Sequence, residues 1–246
     1  MSSNKGPISR EIYSERLLNY LYDWVVLGFN MSYLWRCPTR SVLLPFFQEN
    51  FSPNHLDCGV ATGYFPATCL RSSSSSNPKE EKQQRLALLD FNPNCLHTTE
   101  RIIRSQEVAS SGSKRKLELQ CIEADVTEPL PKAQRQDGRT FSSISMFNVL
   151  HCVPGGLAHK LQSFRTLGRV LDPHDGVFTG CTVLGESYAT WWLGRLGLRH
   201  MNRVGVFHNL GDSREEIEKA LDEAFEDVQT WLVGMVLLFK ARKPRD

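Results

Sequence analysis

The run His55-Leu56-Asp57-Cys58-Gly59-Val60-Ala61-Thr62-Gly63-Tyr64-Phe65 constrains this chain more than any other stretch. An apolar approach ends in an acid, and small residues then occupy alternate places at Gly59, Ala61 and Gly63. A buried strand that turns sharply into a helix has this signature when the helix start must let a ligand touch the backbone. Glycine supplies the permissive dihedrals and the missing side chain. A G-x-A-x-G spacing also occurs in ordinary turns, so its weight comes from the two strands downstream of it. A second strand ends in an acid at Leu86-Ala87-Leu88-Leu89-Asp90, and a third precedes another at Cys121-Ile122-Glu123-Ala124-Asp125. Three strand-end carboxylates in succession predict a nucleoside ligand laid across the carboxyl edge of a parallel sheet.

Beyond Asp57 the pattern alternates. Strands are predicted at about 54–58, 85–90, 117–122, 141–147, 175–183, 225–231 and 233–241, with helices at about 63–70, 93–106, 156–171 and 213–224. Such alternation predicts an α/β, doubly wound sheet with right-handed crossovers. The last two strands are separated only by a short turn at Val233-Gly234, so they form an antiparallel hairpin. Before the sheet, Ile12, Leu17, Leu18, Leu21, Trp24, Val25 and Leu27 have helical spacing over about 9–30, with Gly28 as the stop. Thr39, after Pro38, is placed as the N-cap of a second helix reaching about Asn50. The expected organisation is an N-terminal helical lid over 1–50 and a core over 51–246, with a substrate-side insertion at 185–210. The polar stretches from Ser72 to Glu81 and from Ser110 to Ser113 read as loops.

Composition narrows the functional classes. Basic and acidic residues nearly balance, at a net charge of +2, and are interspersed. That predicts no nucleic-acid partner, and Lys114-Arg115-Lys116 reads as loop decoration. Seven cysteines without C-x-x-C spacing argue against a disulfide framework or a metal site. With no signal-like segment and no apolar run long enough to span a bilayer, a cytoplasmic protein without a membrane partner is expected.

The strand ends carry the chemistry. Asp57 either orients the glycine turn or accepts from a ligand amine. Asp90, continued by Phe91 and Asn92, sits where a nucleotide-binding sheet presents an acid to ribose hydroxyls. Asp125 with Val126 either accepts from an adenine amino group or caps a turn. Asn148 and His151 emerge at the middle of the carboxyl edge. There His151 is either a general base or a ring packed under the ligand.

The glycine pattern is neither the dehydrogenase G-x-G-x-x-G nor a P-loop. The chain instead resembles the class I S-adenosylmethionine-dependent methyltransferases, in particular a small type 12-like group of bacterial and fungal natural-product enzymes. The resemblance covers nearly the whole chain. It rests on Tyr22-Asp23-Trp24, Leu27-Gly28-Phe29, Trp35-Arg36-Cys37-Pro38-Thr39, the 55–65 run, Leu89-Asp90-Phe91-Asn92-Pro93-Asn94, Leu150-His151-Cys152-Val153-Pro154-Gly155 and Val233-Gly234-Met235-Val236-Leu237-Leu238-Phe239. It implies a Rossmann-like seven-stranded sheet with an antiparallel last strand, and S-adenosyl-L-methionine as cofactor. Asp57, Gly59, Ala61 and Gly63 would hold its methionine end, Asp90 the ribose, and Asp125 with Val126 the adenine. Asn148 and His151 would line the floor, with Tyr22 and Trp35 closing above. Ala61 departs from the glycine common in relatives. The acceptor pocket is expected between Gly185 and Asn209, a segment rich in large apolar residues, with His200, His208 and Asn209 as secondary base or orienting candidates. The implied reaction is O-methylation of a hydroxylated polyketide, such as a pyrone or phenol, in fungal secondary metabolism. A cyclase-like or non-catalytic protein on the same fold is the alternative.

Overall fold

The computed structural model describes residues 23–74, 83–109, 116–130 and 140–245. Seven strands form one sheet: β1 Asn54–Cys58, β2 Gln83–Asp90, β3 Lys116–Glu123, β4 Ser143–Phe147, β5 Val177–Val183, β6 Phe225–Val233 and β7 Val236–Pro244. Their spatial order is β3-β2-β1-β4-β5-β7-β6. Pairs from β3 through β5 are parallel, whereas β5–β7 and β6–β7 are antiparallel. β4 and β5 are buried along their whole length, as central strands of a sheet covered on both faces should be, although β4 carries Ser143 and Ser145 and β5 carries Thr179 and Thr182. All seven strands overlap the expected ranges, but β6 runs through Val233 and β7 starts only at Val236, so the turn is Gly234-Met235 and not Val233-Gly234. Gly234, at φ +60, allows a two-residue hairpin turn, and β7 thereby slots between β5 and β6.

The chain switches sides at β1 and β4. β1 runs to β2 and β3 in one direction, and β4 continues to β5 in the other. The carboxyl ends of β1 and β4 therefore flank the crevice where a doubly wound sheet takes its ligand. Helices cover both faces: α4 Tyr64–Ser74, α5 Pro93–Ala109, α6 Leu157–Lys160, α7 Gln162–Gly168, α8 Trp192–Arg203 and α9 Arg214–Ala224. One buried cluster joins Leu56, Met146, Phe164, Phe178 and Phe239, and a second joins Trp35, Phe47, Phe65, Phe147 and Phe207.

Several boundaries differ from expectation. The N-terminal helix, α1 Asp23–Leu34, does not stop at Gly28, because Leu27, Met31 and Trp35 continue the buried stripe past the glycine. Its turns are wider than α-helical, and Trp35 N–H donates to Asn30 O five residues back at 2.9 Å. The part of that helix expected before residue 23 lies outside the described residues, as does Tyr22. Thr39 is not an N-cap. It is the first residue of α2 Thr39–Leu43, which runs into α3 Leu44–Glu49, and its hydroxyl donates to Leu27 O at 2.5 Å. α4 extends through Ser74, with Ser72 Oγ donating to Thr68 O, so that part of the serine stretch is helical. The helix expected over 156–171 is two short ones meeting at Leu161.

Candidate active site

The loop from Gly59 to Gly63 sits between β1 and α4. Three of its residues adopt left-handed backbone: Gly59 at φ +73, Ala61 at +47 and Gly63 at +71. A Cβ on Gly59 would lie 2.1 Å from Val149 Cγ2, and one on Gly63 would lie 2.4 Å from Thr99 Cγ2. The glycines are therefore demanded both by dihedral and by close approach. Ala61 tolerates the same region at a cost of about 1–2 kcal/mol, and Thr99 Oγ1 donates to its carbonyl at 3.2 Å.

Asp57 ends β1 beneath this loop, buried, with Ser145 Oγ donating to its Oδ1 at 2.5 Å. Burial pushes its pKa up to about 7, opposed by the Ser145 hydrogen bond and reinforced by Asp90. Asp90 ends β2 and is likewise buried. Its pKa is pushed up to about 6 by burial, against the pull of backbone amides at Asn92, Ala61, Val60 and Phe91. It thus ties the glycine loop of β1 to the tip of β2. Phe91 beside it is 37% exposed and Asn92 is buried. Asp125 lies just beyond β3, where its Oδ1 accepts from Thr127 N and Oγ1 at 3.0 and 2.8 Å. That is the turn-capping arrangement, with Val126 buried next to it.

Asn148 follows β4 at φ +59, its N–H bound to Cys181 O. Two buried amide donors at the strand tips, Asn148 Nδ2 and Asn92 Nδ2, have no partner. A buried donor left unmatched costs about 1–3 kcal/mol, so these mark places where a ligand acceptor belongs. His151 lies in a three-residue turn, Leu150–Cys152, and is buried. Val183 N–H donates to its Nδ1 at 3.1 Å, which puts the ring proton on Nε2. Burial, helped by the charge of Lys160, lowers its pKa to about 3. A neutral ring whose free lone pair is already engaged is a hydrogen-bond donor, not a base. Phe207 packs on it, with centroids 4.2 Å apart.

His208 N–H donates to His151 O at 2.8 Å, so the two histidines sit on adjoining segments. The His208 side chain is exposed, and burial and Lys160 hold its pKa below the usual histidine value. Asn209 is fully buried and holds Val183 O through Nδ2 at 2.7 Å, which makes it a bracket for the loop. His200 is exposed on α8. Trp35 has the contacts of a core side chain: it is 2% exposed and tilted against Phe207 at 5.6 Å.

Sequence reasoning missed two features. Lys160 is fully buried and paired with Asp212 at 2.8 Å, and it also donates to His208 O at 2.6 Å. His55, Ser143 and Ser145 form a polar chain behind Asp57. Its signal was visible in H-L-D and S-I-S, where polar residues alternate inside strands that are otherwise apolar.

No family model matches the chain. It is 46% identical to O-methyltransferase NEC2 of Pyricularia oryzae, over 100% of this chain and 96% of that relative. It is 37% identical to the physcion biosynthesis cluster O-methyltransferase of Aspergillus chevalieri, over 95% and 94%. The chain belongs to the fungal O-methyltransferases. Among solved structures, human N-acetylserotonin methyltransferase in complex with SAM matches with a TM-score of 0.57 at 14% identity, covering 99% of this chain and 61% of that one. An O-methyltransferase family 2 protein of Planctomyces limnophilus, in complex with apigenin, gives 0.53 at 17%, covering 81% and 57%. The chain spans about three fifths of the length of these two proteins, and at such identities the likeness is one of fold.

S-adenosyl-L-methionine is the cofactor implied by the sequence resemblance, and SAM is bound in the solved N-acetylserotonin methyltransferase. The site fits it. The glycine loop lets a ligand approach the main chain, the acids at the β1 and β2 tips complement an ammonium and ribose hydroxyls, and two buried amides lack acceptors. Among the described residues no cluster of His, Cys, Asp and Glu could hold a metal, and no helix is long and apolar enough to cross a membrane.

Proposed function

We propose that this enzyme methylates a hydroxyl oxygen of a small hydroxylated polyketide, a pyrone or phenol, in fungal secondary metabolism. The cofactor supplies an electrophilic methyl group on a sulfonium. The protein aligns donor and acceptor, a contribution that can reach about 7–11 kcal/mol. Asp57, Gly59, Ala61 and Gly63 hold the methionine end, Asp90 and Phe91 the ribose, and Asp125 with Val126 the adenine. Asn92 and Asn148 present their unpaired amides, and the Nε2–H of His151 donates to an oxygen at the floor of the site. The segment before β1 covers the site, with Trp35 as its buried anchor, and Tyr22 is assigned to the cofactor by the sequence resemblance alone. The 185–210 segment supplies the acceptor side.

The observation that carries this reading is the full-length identity to fungal O-methyltransferases, one of them named for a physcion biosynthesis cluster. An apolar acceptor is supported by α1 and α8, which contact each other and carry exposed Phe29, Tyr33, Trp192 and Leu196. Proton removal falls to His208 and not to His151, because His208 is exposed and its lowered pKa keeps it neutral at pH 7. An acidic enol arrives ionised and has no need of it.

Calorimetric titration with S-adenosylmethionine and S-adenosylhomocysteine, comparing wild type with Asp90→Ala, tests the cofactor site. Micromolar binding that disappears in the variant supports it, and absence of binding in the wild type refutes it. A screen of hydroxylated polyketides for a mass gain of one methyl then tests the acceptor class. His208→Ala should lower kcat at pH 7 for a phenol, recover as pH rises, and leave an acidic hydroxy-pyrone nearly unaffected.

A further inference from the structure

β1 and β4 lie side by side with His55 opposite Ser143 and Asp57 opposite Ser145. Alternation therefore puts four polar side chains on one face, in the middle of an apolar sheet. They are joined end to end. Ser145 Oγ donates to Asp57 Oδ1 at 2.5 Å, and His55 Nε2 stands 2.9 Å from Ser145 Oγ. His55 Nδ1 stands 2.6 Å from Ser143 Oγ, which is 2.7 Å from Ser52 Oγ and accepts from Ser52 N–H at 3.0 Å.

The hydrogens have a fixed direction. A carboxylate only accepts, so the Ser145 proton is committed to Asp57. The Ser145 oxygen must then accept, which assigns the His55 ring proton to Nε2 and leaves Nδ1 to accept from Ser143. His55 is 1% exposed and walled by the rings of Phe47 and Phe51, and burial drives its pKa down to about 3, so it stays neutral. The Nε2–H of His55 and the hydroxyl of Ser145 thus both point toward Asp57. Apolar residues at these places would satisfy packing alone, and polar ones in a dry sheet are costly unless fully satisfied.

Of the groups facing Asp57, Asp90 on β2 opposes its ionisation. Cys58 on β1 and Cys69 on α4 are held protonated by burial, well above the ordinary thiol value and at about 12 respectively. Ser145 on β4 is the group that favours the charged form.

We infer that Ser145, oriented by His55, is a positioning residue that holds Asp57 as an ionised acceptor for the ammonium of the cofactor. This rests on the assignment of Asp57 to the methionine end. A hydrogen bond to a charged group is worth about 1.5–3 kcal/mol, so its loss raises the carboxyl pKa by about one unit or more. Below that pKa the binding-competent fraction falls in proportion.

Cofactor binding is measured by calorimetry from pH 6 to 8.5 in wild type, Ser145→Ala, His55→Leu and His55→Gln, with thermal melting as the check of folding. Ser145→Ala should bind about tenfold more weakly at pH 6, with the deficit shrinking toward pH 8.5. His55→Leu should move the same way, and His55→Gln, which keeps a donor for Ser145, should recover much of the loss. Equal weakening of Ser145→Ala at every pH, or no weakening, overturns the inference. No binding by the wild type at any pH overturns the cofactor assignment itself, and this inference with it.

Discussion

Gly59→Ala tests the packing of the glycine loop against the β4 tip. The added Cβ would stand 2.1 Å from Val149 Cγ2 and 3.3 Å from Val149 Cβ, at a backbone φ of +73. The dihedral alone costs about 1–2 kcal/mol for an L side chain. Forcing Val149 aside adds about 1–3 kcal/mol, as overpacking usually does. Together the variant should lose about 2–5 kcal/mol. Val149→Ala alone removes methyl groups from a half-buried residue and should cost about 1 kcal/mol. In the double variant the collision at Cγ2 disappears, so the sum should fall short of additivity by about 1–3 kcal/mol. Urea unfolding of the four proteins gives this coupling directly. Calorimetry gives a second reading, because Val149 adjoins Asn148 and the His151 turn: cofactor binding lost in Gly59→Ala should return in part in the double variant. Additivity within about 0.5 kcal/mol would refute the argument.

Lys160→Met leaves Asp212 buried without its partner and should cost about 3–5 kcal/mol, whereas Lys160→Met with Asp212→Leu should regain much of it; urea midpoints decide. The buried acids and histidines make opposite pH contributions. Asp57 and Asp90, raised to about 7 and 6, bind protons that the unfolded chain has released, so each lowers stability as pH climbs from about 4 to its own folded value. His55 and His151, lowered to about 3, do the reverse between about 3 and 6.5. Asp57→Asn should therefore gain stability relative to wild type as pH goes from 4 to 7, and a flat difference in melting temperature would contradict the assignment. Trp191→Phe removes the Nε1 hydrogen bond to Leu34 O at 3.0 Å and should cost about 1 kcal/mol; faster limited proteolysis between residues 34 and 38 reports the loosened segment.

The sheet was legible because its determinants are local. Alternating runs set the strands, Gly59 and Gly63 set the loop, and Gly234 sets the hairpin. Placing Asp57, Asp90 and Asn148 at strand tips followed from those positions alone. What escaped depended on distant neighbours. The wide winding of α1 past Gly28 reflects burial of Met31 and Trp35 in a cluster that also holds Val236 and Leu238 of β7. The break at Leu161 has no glycine or proline to announce it, and Lys160 beside it pairs with Asp212, dozens of residues further along the chain. From its place on the strand tip His151 reads as either a base or a ring packed under the ligand, and what engages its lone pair is a main-chain amide of β5, which no side-chain pattern records.

β7 comes after β6 in the chain yet lies inside it, between β6 and β5. During synthesis the edge of β5 therefore waits, unpaired and apolar, until the hairpin has been made and inserted. An open, hydrophobic strand edge templates pairing with other chains, and long-range pairing of this kind forms slowly. The yield of folded enzyme should consequently be governed by how quickly the hairpin reaches that edge, so that mutations slowing its turn would appear as aggregation during expression even where the finished protein is stable.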